Sequence, residues 1–161
     1  MKVLVTGGAG FIGSNFVKMA IGGKFAEITE ITVLDKLTYT GSMTNLGNVL
    51  DDARVEFHLG DICDFSLVDK LVSKIDVIIN FAAESHVDKS IENSTEFIRT
   101  NVMGTQVLLE AAKKHGVRKF LQMKFMAQYL KVHGMKSRLY SLTRHMPLVR
   151  QPRIYLPAHI L

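Results

Sequence analysis

The chain has 161 residues, a net charge of +5 and a single cysteine, Cys63. That length supports one domain with a buried core, and one cysteine excludes both an internal disulfide and a cysteine-rich metal site. No apolar run approaches a membrane span and the first residues lead directly into a strand pattern, so a cytoplasmic location with no membrane partner and no metal is expected.

The first element is a β-branched run, Lys2 to Thr6, that reads as a strand. It enters a turn with glycines at Gly7, Gly10 and Gly13 and leaves as an amphipathic helix, Phe11–Ile21, through Phe16, Val17 and Ala20. Gly7 permits the tight turn, Gly10 lets backbone approach a phosphate, and Gly13 lets the helix pack closely on the strand. The N–H groups of the first helical turn then point at an anion. The spacing is G-x-x-G-x-x-G, and taken alone it also fits a glycine-rich turn without a ligand.

Further strands read at Ile31–Asp35, Arg54–Leu59, Val77–Phe81 and Lys119–Gln122, and further helices at Ser66–Ser73 and Thr95–His115. Alternating β and α predicts an α/β fold, a Rossmann-like doubly wound parallel sheet of about five strands, with its ligand at the carboxyl ends of the strands.

Asp35 ends the second strand about twenty residues after the glycine turn, where a carboxylate accepts both adenosine ribose hydroxyls and repels a 2′-phosphate, favouring NAD over NADP. A loop acid or a helix cap is the competing reading. Gly60-Asp61-Ile62 follows the third strand: Asp61 either accepts from the adenine amino group, with Ile62 against the ring, or is a solvated turn residue. Spacing does not choose between them. After the fourth strand, small Ala82 and Ala83 let a flat cofactor lie against backbone, and Ser85 and His86 would face a substrate. Asn101, inside the long helix, calls for a backbone group to satisfy its amide, and Gly104 allows close packing. Val107, Leu108, Ala111 and Ala112 read as core.

These residues together resemble the extended short-chain dehydrogenase/reductase superfamily and, more narrowly, the dTDP-glucose 4,6-dehydratases. The narrow likeness rests on Asp35-Lys36-Leu37-Thr38-Tyr39 with Asn45-Leu46 after it, on Gly60-Asp61-Ile62-Cys63-Asp64, and on Ala82-Ala83-Glu84-Ser85-His86-Val87-Asp88. The related sugar epimerases are similar at the glycines and read differently after the fourth strand. The resemblance covers residues 1–122 and implies NAD as cofactor. Its contacts would be Gly7, Gly10, Phe11, Ile12 and Gly13, then Asp35, Lys36, Leu37 and Thr38, then Asp61, Ile62, Phe81, Ala82, Ala83, Glu84, Ser85 and Thr100. Ser85 and His86 would border the nucleotide sugar, dTDP-glucose. The implied reaction removes hydride from the hexose C4 to NAD, eliminates water across C5 and C6, and returns hydride at C6. A homodimer through helices of the sheet domain, one of them including part of Thr95–His115, is also implied.

Two family motifs are missing: the Asp-Glu pair of S-T-D-E-V-Y-G after the fifth strand, and the Tyr and Lys of a Y-x-x-x-K helix. No catalytic residue is therefore assigned, and a catalytically incompetent chain that binds NAD weakly, with no sixth strand and no substrate domain, is expected. The alternatives are an NAD-binding fragment without activity and another nucleotide-sugar epimerase or dehydratase.

The last stretch differs in composition. Residues 1–122 hold 13 Lys/Arg and all 15 Asp/Glu, whereas residues 123–161 hold 7 Lys/Arg and no acid, together with all three prolines. The tail lacks both the aromatic interleaving that stacks bases and a sustained helical period, so no nucleic-acid partner is expected. A frameshift after Gln122 accounts for it. Joining the last base of each codon to the first two of the next forces Glu at Met123-Lys124, Gly at Met126-Ala127, Glu at Met135-Lys136 and Ala at Met146-Pro147, because Met has one codon. Degenerate codons then permit D-E-V-Y-G across Met123–Ala127, W-D-E across His133–Lys136 and Y-A-A-S-K across His145–Arg150. The expected division is residues 1–122 as an incomplete NAD-binding domain and residues 123–161 as a basic tail read out of register.

Overall fold

The computed structural model describes residues 1–84 and 94–122. Five strands alternate with helices: β1 (Lys2–Thr6), α1 (Phe11–Ile21), β2 (Glu30–Asp35), α2 (Met43–Leu46), a 3-10 turn (Gly47–Asp51), β3 (Val55–Leu59), α3 (Phe65–Val72) and β4 (Val77–Asn80). After the undescribed residues come α4 (Ser94–Ile98), a π-helical segment (Arg99–Gly104), α5 (Thr105–Lys114) and β5 (Lys119–Gln122). The sheet order is β3-β2-β1-β4-β5 and every pairing is parallel. The chain winds outward from β1 to β3, then crosses back to place β4 against the other side of β1. That reversal makes the carboxyl ends of β1 and β4 the topological switch point, where an open α/β sheet offers a crevice.

The two faces of the sheet are separated by the period of two along each strand. Leu4, Leu34 and Ile78 face one way and pack with Val68 and Val72 of α3 and with Leu108 and Ala111 of α5. Val3, Val5, Ile31, Val33 and Val77 face the other way and pack with Val17 and Ala20 of α1. Leu4, Ile31, Leu34, Ile78 and Leu108 are at most 1% exposed, and burial of each contributes about 1.5–3 kcal/mol. A sheet covered on both faces needs strands that are apolar throughout, which is why β1 reads as a continuous run rather than an alternation.

Most elements lie within a residue of their predicted bounds, and the differences have local causes. Helix α3 begins at Phe65 rather than Ser66 because Asp64 caps it, its side chain accepting from Leu67 N–H at 3.1 Å. β4 stops at Asn80: the Phe81 N–H still reaches the Thr6 carbonyl at 2.9 Å, but Phe81 then departs into a loop. The short α2 was not anticipated, although Ser42 is a usable N-cap and its hydroxyl accepts from Thr44 N–H.

The predicted single helix over Thr95–His115 is three pieces, with six π-helical residues at its centre. A π segment widens the turn and rotates the side chains it carries. Here it holds Asn101, 1% exposed, against the loop after β4, and the Thr105 hydroxyl bonds the Asn101 carbonyl at 2.8 Å. Gly104 closes the segment on Ile62: a Cβ there would stand 2.5 Å from the Ile62 side chain, so the close packing expected of this glycine is present. No helix among the described residues is long and apolar enough to cross a membrane.

Candidate functional site

At the carboxyl ends of β1, β2, β3 and β4 lies an open cleft. Gly7 and Gly10 from the first turn, Asp35, Lys36 and Thr38 after β2, Asp61 and Ile62 after β3, Phe81, Ala82, Ala83 and Glu84 after β4, and Thr100 of the π segment all line it. Residues separated by up to 93 positions in sequence thus converge on one cleft, because parallel strands send every carboxyl end the same way.

The glycine turn is built by contact as well as by torsion. Gly7 has φ +67, and a Cβ there would stand 2.5 Å from the Ala82 nitrogen, so Gly7 also lets the β4 loop lie against the turn. A Cβ on Gly13 would sit 2.2 Å from the Gly7 carbonyl oxygen: the close approach is to the turn's own backbone rather than to the strand. Gly10 is the N-cap of α1 and no side chain caps the helix; the first bond is Ser14 N–H to the Gly10 carbonyl at 3.0 Å. The side chains of Phe11, 89% exposed, and Ile12 do not line the cleft, and neither do Gly13 and Leu37.

Asp35 is buried at the tip of β2. Its Oδ2 accepts from Ala9 N–H at 2.9 Å and its Oδ1 from Leu37 N–H at 2.8 Å, so the carboxylate ties the glycine turn to the following loop. A carboxylate offers about four acceptor sites, two of which these bonds occupy. The Ala9 carbonyl accepts in turn from Ser42 N–H and from Asn45 Nδ2, the latter at 2.8 Å. The sequence pattern missed this second role of Asp35, and it missed Thr40 and Gly41 as part of the cleft wall; the acid's position signalled a ligand but not its backbone donors.

Asp61 is a partly buried, charge-paired turn residue. Its Oδ1 accepts from Cys63 N–H at 2.9 Å, and its Oδ2 lies 3.3 Å from an Arg99 guanidinium nitrogen and 3.8 Å from Lys36 Nζ, which itself donates to the Thr100 hydroxyl at 3.1 Å. Burial alone pushes the Asp61 carboxyl up, but the Cys63 backbone and thiol together with Lys36 and Arg99 hold it below the usual carboxylate range. A carboxyl lowered on folding contributes stability above the unfolded value of about 3.9 and loses it as pH falls through the folded value. Asp61→Asn is therefore expected to be less stable than the parent at pH 7, with the difference fading from about pH 4 downward; urea midpoints that differ equally at pH 3 and pH 7 would contradict this.

On the opposite side, Glu84 is held from two directions. Asn101 Oδ1 accepts from Glu84 N–H and Asn101 Nδ2 donates to the Glu84 carbonyl, both at 2.9 Å. The backbone partner anticipated for Asn101 is thus a loop that lines the cleft. The Tyr39 hydroxyl donates to Glu84 Oε2 at 2.9 Å; burial first, then this hydrogen bond and the Glu84 charge, push the phenol up to about 12. Asn101→Asp removes the donor to the Glu84 carbonyl and places like partial charges together, at an expected cost of about 2–3 kcal/mol. Unchanged urea stability of that variant would show that the pair is not the anchor.

Asn80, unremarked in the sequence, joins three strand ends. Its Oδ1 accepts from the Thr6 hydroxyl and from Ala82 N–H at 3.1 Å, while its Nδ2 donates to Gln122 Oε1 at 2.8 Å. Ser85 and His86 lie outside the described residues.

A doubly wound parallel sheet with a glycine turn, an acid ending the second strand and a cleft at the switch point defines a protein of the dinucleotide-binding α/β class. The sequence pattern of the family described as GDP-mannose 4,6 dehydratase matches residues 4–128, and the chain belongs to that family. It is 53% identical over 123 residues to a dTDP-glucose 4,6-dehydratase of Streptomyces niveus, covering 75% of this chain and 37% of that one. The crystal structure of DesIV, a dTDP-glucose 4,6-dehydratase from Streptomyces venezuelae with NAD and TYD bound, superposes with a TM-score of 0.72 at 48% identity over 74% of this chain and 38% of its own. A UDP-glucose 4-epimerase of Thermotoga maritima, solved with UDP-glucose, gives a TM-score of 0.66 at 32% identity, over 76% and 37% of the two chains. The chain thus spans little more than a third of the length of these relatives.

Proposed function

We propose that residues 1–122 are the NAD-binding part of a dTDP-glucose 4,6-dehydratase and that this chain, by itself, does not turn the sugar over. The observation that carries the reading is Asp35: a buried carboxylate on the cleft wall, oriented by two backbone donors and with acceptor capacity left for two vicinal hydroxyls. Identity of about half with named dehydratases supports the substrate class.

In this reading Asp35 binds the adenosine ribose and repels a 2′-phosphate. The pyrophosphate lies over Gly10, where a Cβ would crowd the Gly7 carbonyl at 3.3 Å and the uncapped start of α1 presents N–H donors. Lys36, Leu37 and Thr38 border the ribose, Asp61 and Ile62 border the adenine, and Thr100 steadies Lys36. Phe81, Ala82 and Ala83 offer a surface of little bulk to a flat ring, and Ser85 and His86 would meet the sugar. Bound NAD would supply hydride acceptance and return. The protein would still have to supply a base for the C4 hydroxyl and an acid/base pair for the elimination. Neither the Asp-Glu pair nor a Y-x-x-x-K helix stands in this sequence, so turnover is not expected. The apolar residues Ile98 and Met103, more than half exposed on the interrupted helix, support a homodimer through that element.

Calorimetry of the purified chain is expected to show NAD bound at least about tenfold more tightly than NADP. Incubation with dTDP-glucose and NAD should yield no 4-keto-6-deoxy sugar by mass spectrometry, and UDP-glucose in parallel tests an epimerase reading. Equal affinity for NADP, or no dinucleotide binding, would overturn the cofactor assignment; product formation would overturn the inactivity. The tail, residues 123–161, lies outside the described residues, and a frameshift after Gln122 is proposed for it. Sequencing the gene across codons 118–130 should reveal the intact family frame beside a short insertion or deletion, and the same continuous frame in related genes would sink the idea.

A further inference from the structure

The loops after β2 and β4 both wall the cleft, and a side-chain bond joins them. The loop after β2 contributes Thr38, Thr40 and Gly41 to the lining, and the loop after β4 contributes Phe81 through Glu84. Tyr39 sits between Thr38 and Thr40, and its hydroxyl reaches Glu84 Oε2 at 2.9 Å. We propose that Tyr39 and Glu84 form a latch across the cleft, with Asn101 as its positioning residue, and that breaking this bond sets how fast a bound dinucleotide leaves.

Each end of the latch has its own anchor, which separates it from a chance surface contact. The Glu84 backbone is clamped at both N–H and C=O by Asn101, itself fixed in the π segment. The Tyr39 loop is fastened at its two ends: Asp35 holds Leu37 N–H, and the Ala9 carbonyl receives Ser42 N–H and Asn45 Nδ2. Between those fastenings the Tyr39 side chain is about half exposed, so the phenol can leave Glu84 without disturbing the core. The walls are therefore firm while the charge-assisted Tyr39–Glu84 bond between them lies at the surface, an arrangement that lets a cleft open locally without unfolding. Tyr39 remains a neutral donor at any physiological pH.

This inference rests on the dinucleotide reading of the cleft. The test is stopped-flow release of NADH from the full chain, read by its fluorescence. Tyr39→Phe and Glu84→Gln are each expected to raise the dissociation rate about five-fold with the association rate nearly unchanged, and the double variant should be no faster than the faster single one. A merely structural bond would instead lower the melting temperature of the ligand-free protein and leave the release rate alone. In the ligand-free chain, Glu84→Gln should also bring the Tyr39 phenol titration, followed by ring-carbon NMR, down toward the ordinary value of about 10. Unchanged release rates, or additive effects of the two substitutions, would overturn the latch while leaving the binding reading intact. Absence of NADH binding by the parent chain would overturn both.

Discussion

Gly13→Ala is expected to cost at least about 3 kcal/mol of folding stability, at the upper end of what overpacking a tight site does. Two effects oppose each other at this position. Alanine is the better helix former by about 1 kcal/mol, and Gly13 lies inside α1, so helix propensity alone predicts a gain. The added Cβ, however, would stand 2.2 Å from the Gly7 carbonyl oxygen and 2.8 Å from the Gly8 Cα. Both are backbone atoms of a turn that cannot give way without moving β1, so sterics wins. Gly116 provides the comparison: its φ is +66 but a Cβ there meets nothing within 4 Å. Gly116→Ala should therefore show only the left-handed strain of about 1–2 kcal/mol. Urea unfolding of both variants against the parent checks the ordering, and a Gly13→Ala chain as stable as Gly116→Ala would contradict the packing described for the turn.

Asp35→Asn is the second large effect, and it should act on stability and on binding at once. The carboxylate receives Ala9 N–H and Leu37 N–H, one on each oxygen. An amide in its place presents its NH2 to one of those donors, leaving a buried N–H unpaired, and weakens the other bond by removing the charge. Together these cost about 2–3 kcal/mol. The same change removes the charge that would repel a 2′-phosphate and one acceptor for a ribose hydroxyl. NAD affinity should fall by about tenfold or more and the NAD-to-NADP ratio should approach unity. Measuring both separates the two roles: lost stability with unchanged cofactor preference would make Asp35 a brace for the glycine turn and nothing more.

That double role marks where a linear reading stops. Asp35 stood out as a candidate ribose acid because its distance from Gly7–Gly13 is a feature of the chain. Its bond to Ala9 was not, because the partner is a backbone N–H brought near only when β1 and β2 pair in register, Thr6 opposite Leu34. Asn101 shows the intermediate case. An amide inside an apolar helix signalled an unmet hydrogen-bonding need, but the π segment that satisfies it arises from packing against Ile62 and the β4 loop, contacts between distant parts of the sequence. Asn80 carried no signal at all, since a polar residue ending a strand is unexceptional until Thr6 and Gln122 lie on either side of it.

Sequence by itself determined the alternation of strands and helices, the two apolar faces of the sheet, the glycine turn and the acid that follows it. These are consequences of periodicity, torsional freedom and spacing, which are local properties. Tertiary structure alone decided that Tyr39 meets Glu84 across the cleft, that Lys36 and Arg99 converge on Asp61, and that Gly7 is closed upon by Ala82. Those contacts exist because parallel strands in the order β3-β2-β1-β4-β5 deliver the loops after β1, β2, β3 and β4 to one edge, and no local rule states which loops will be neighbours.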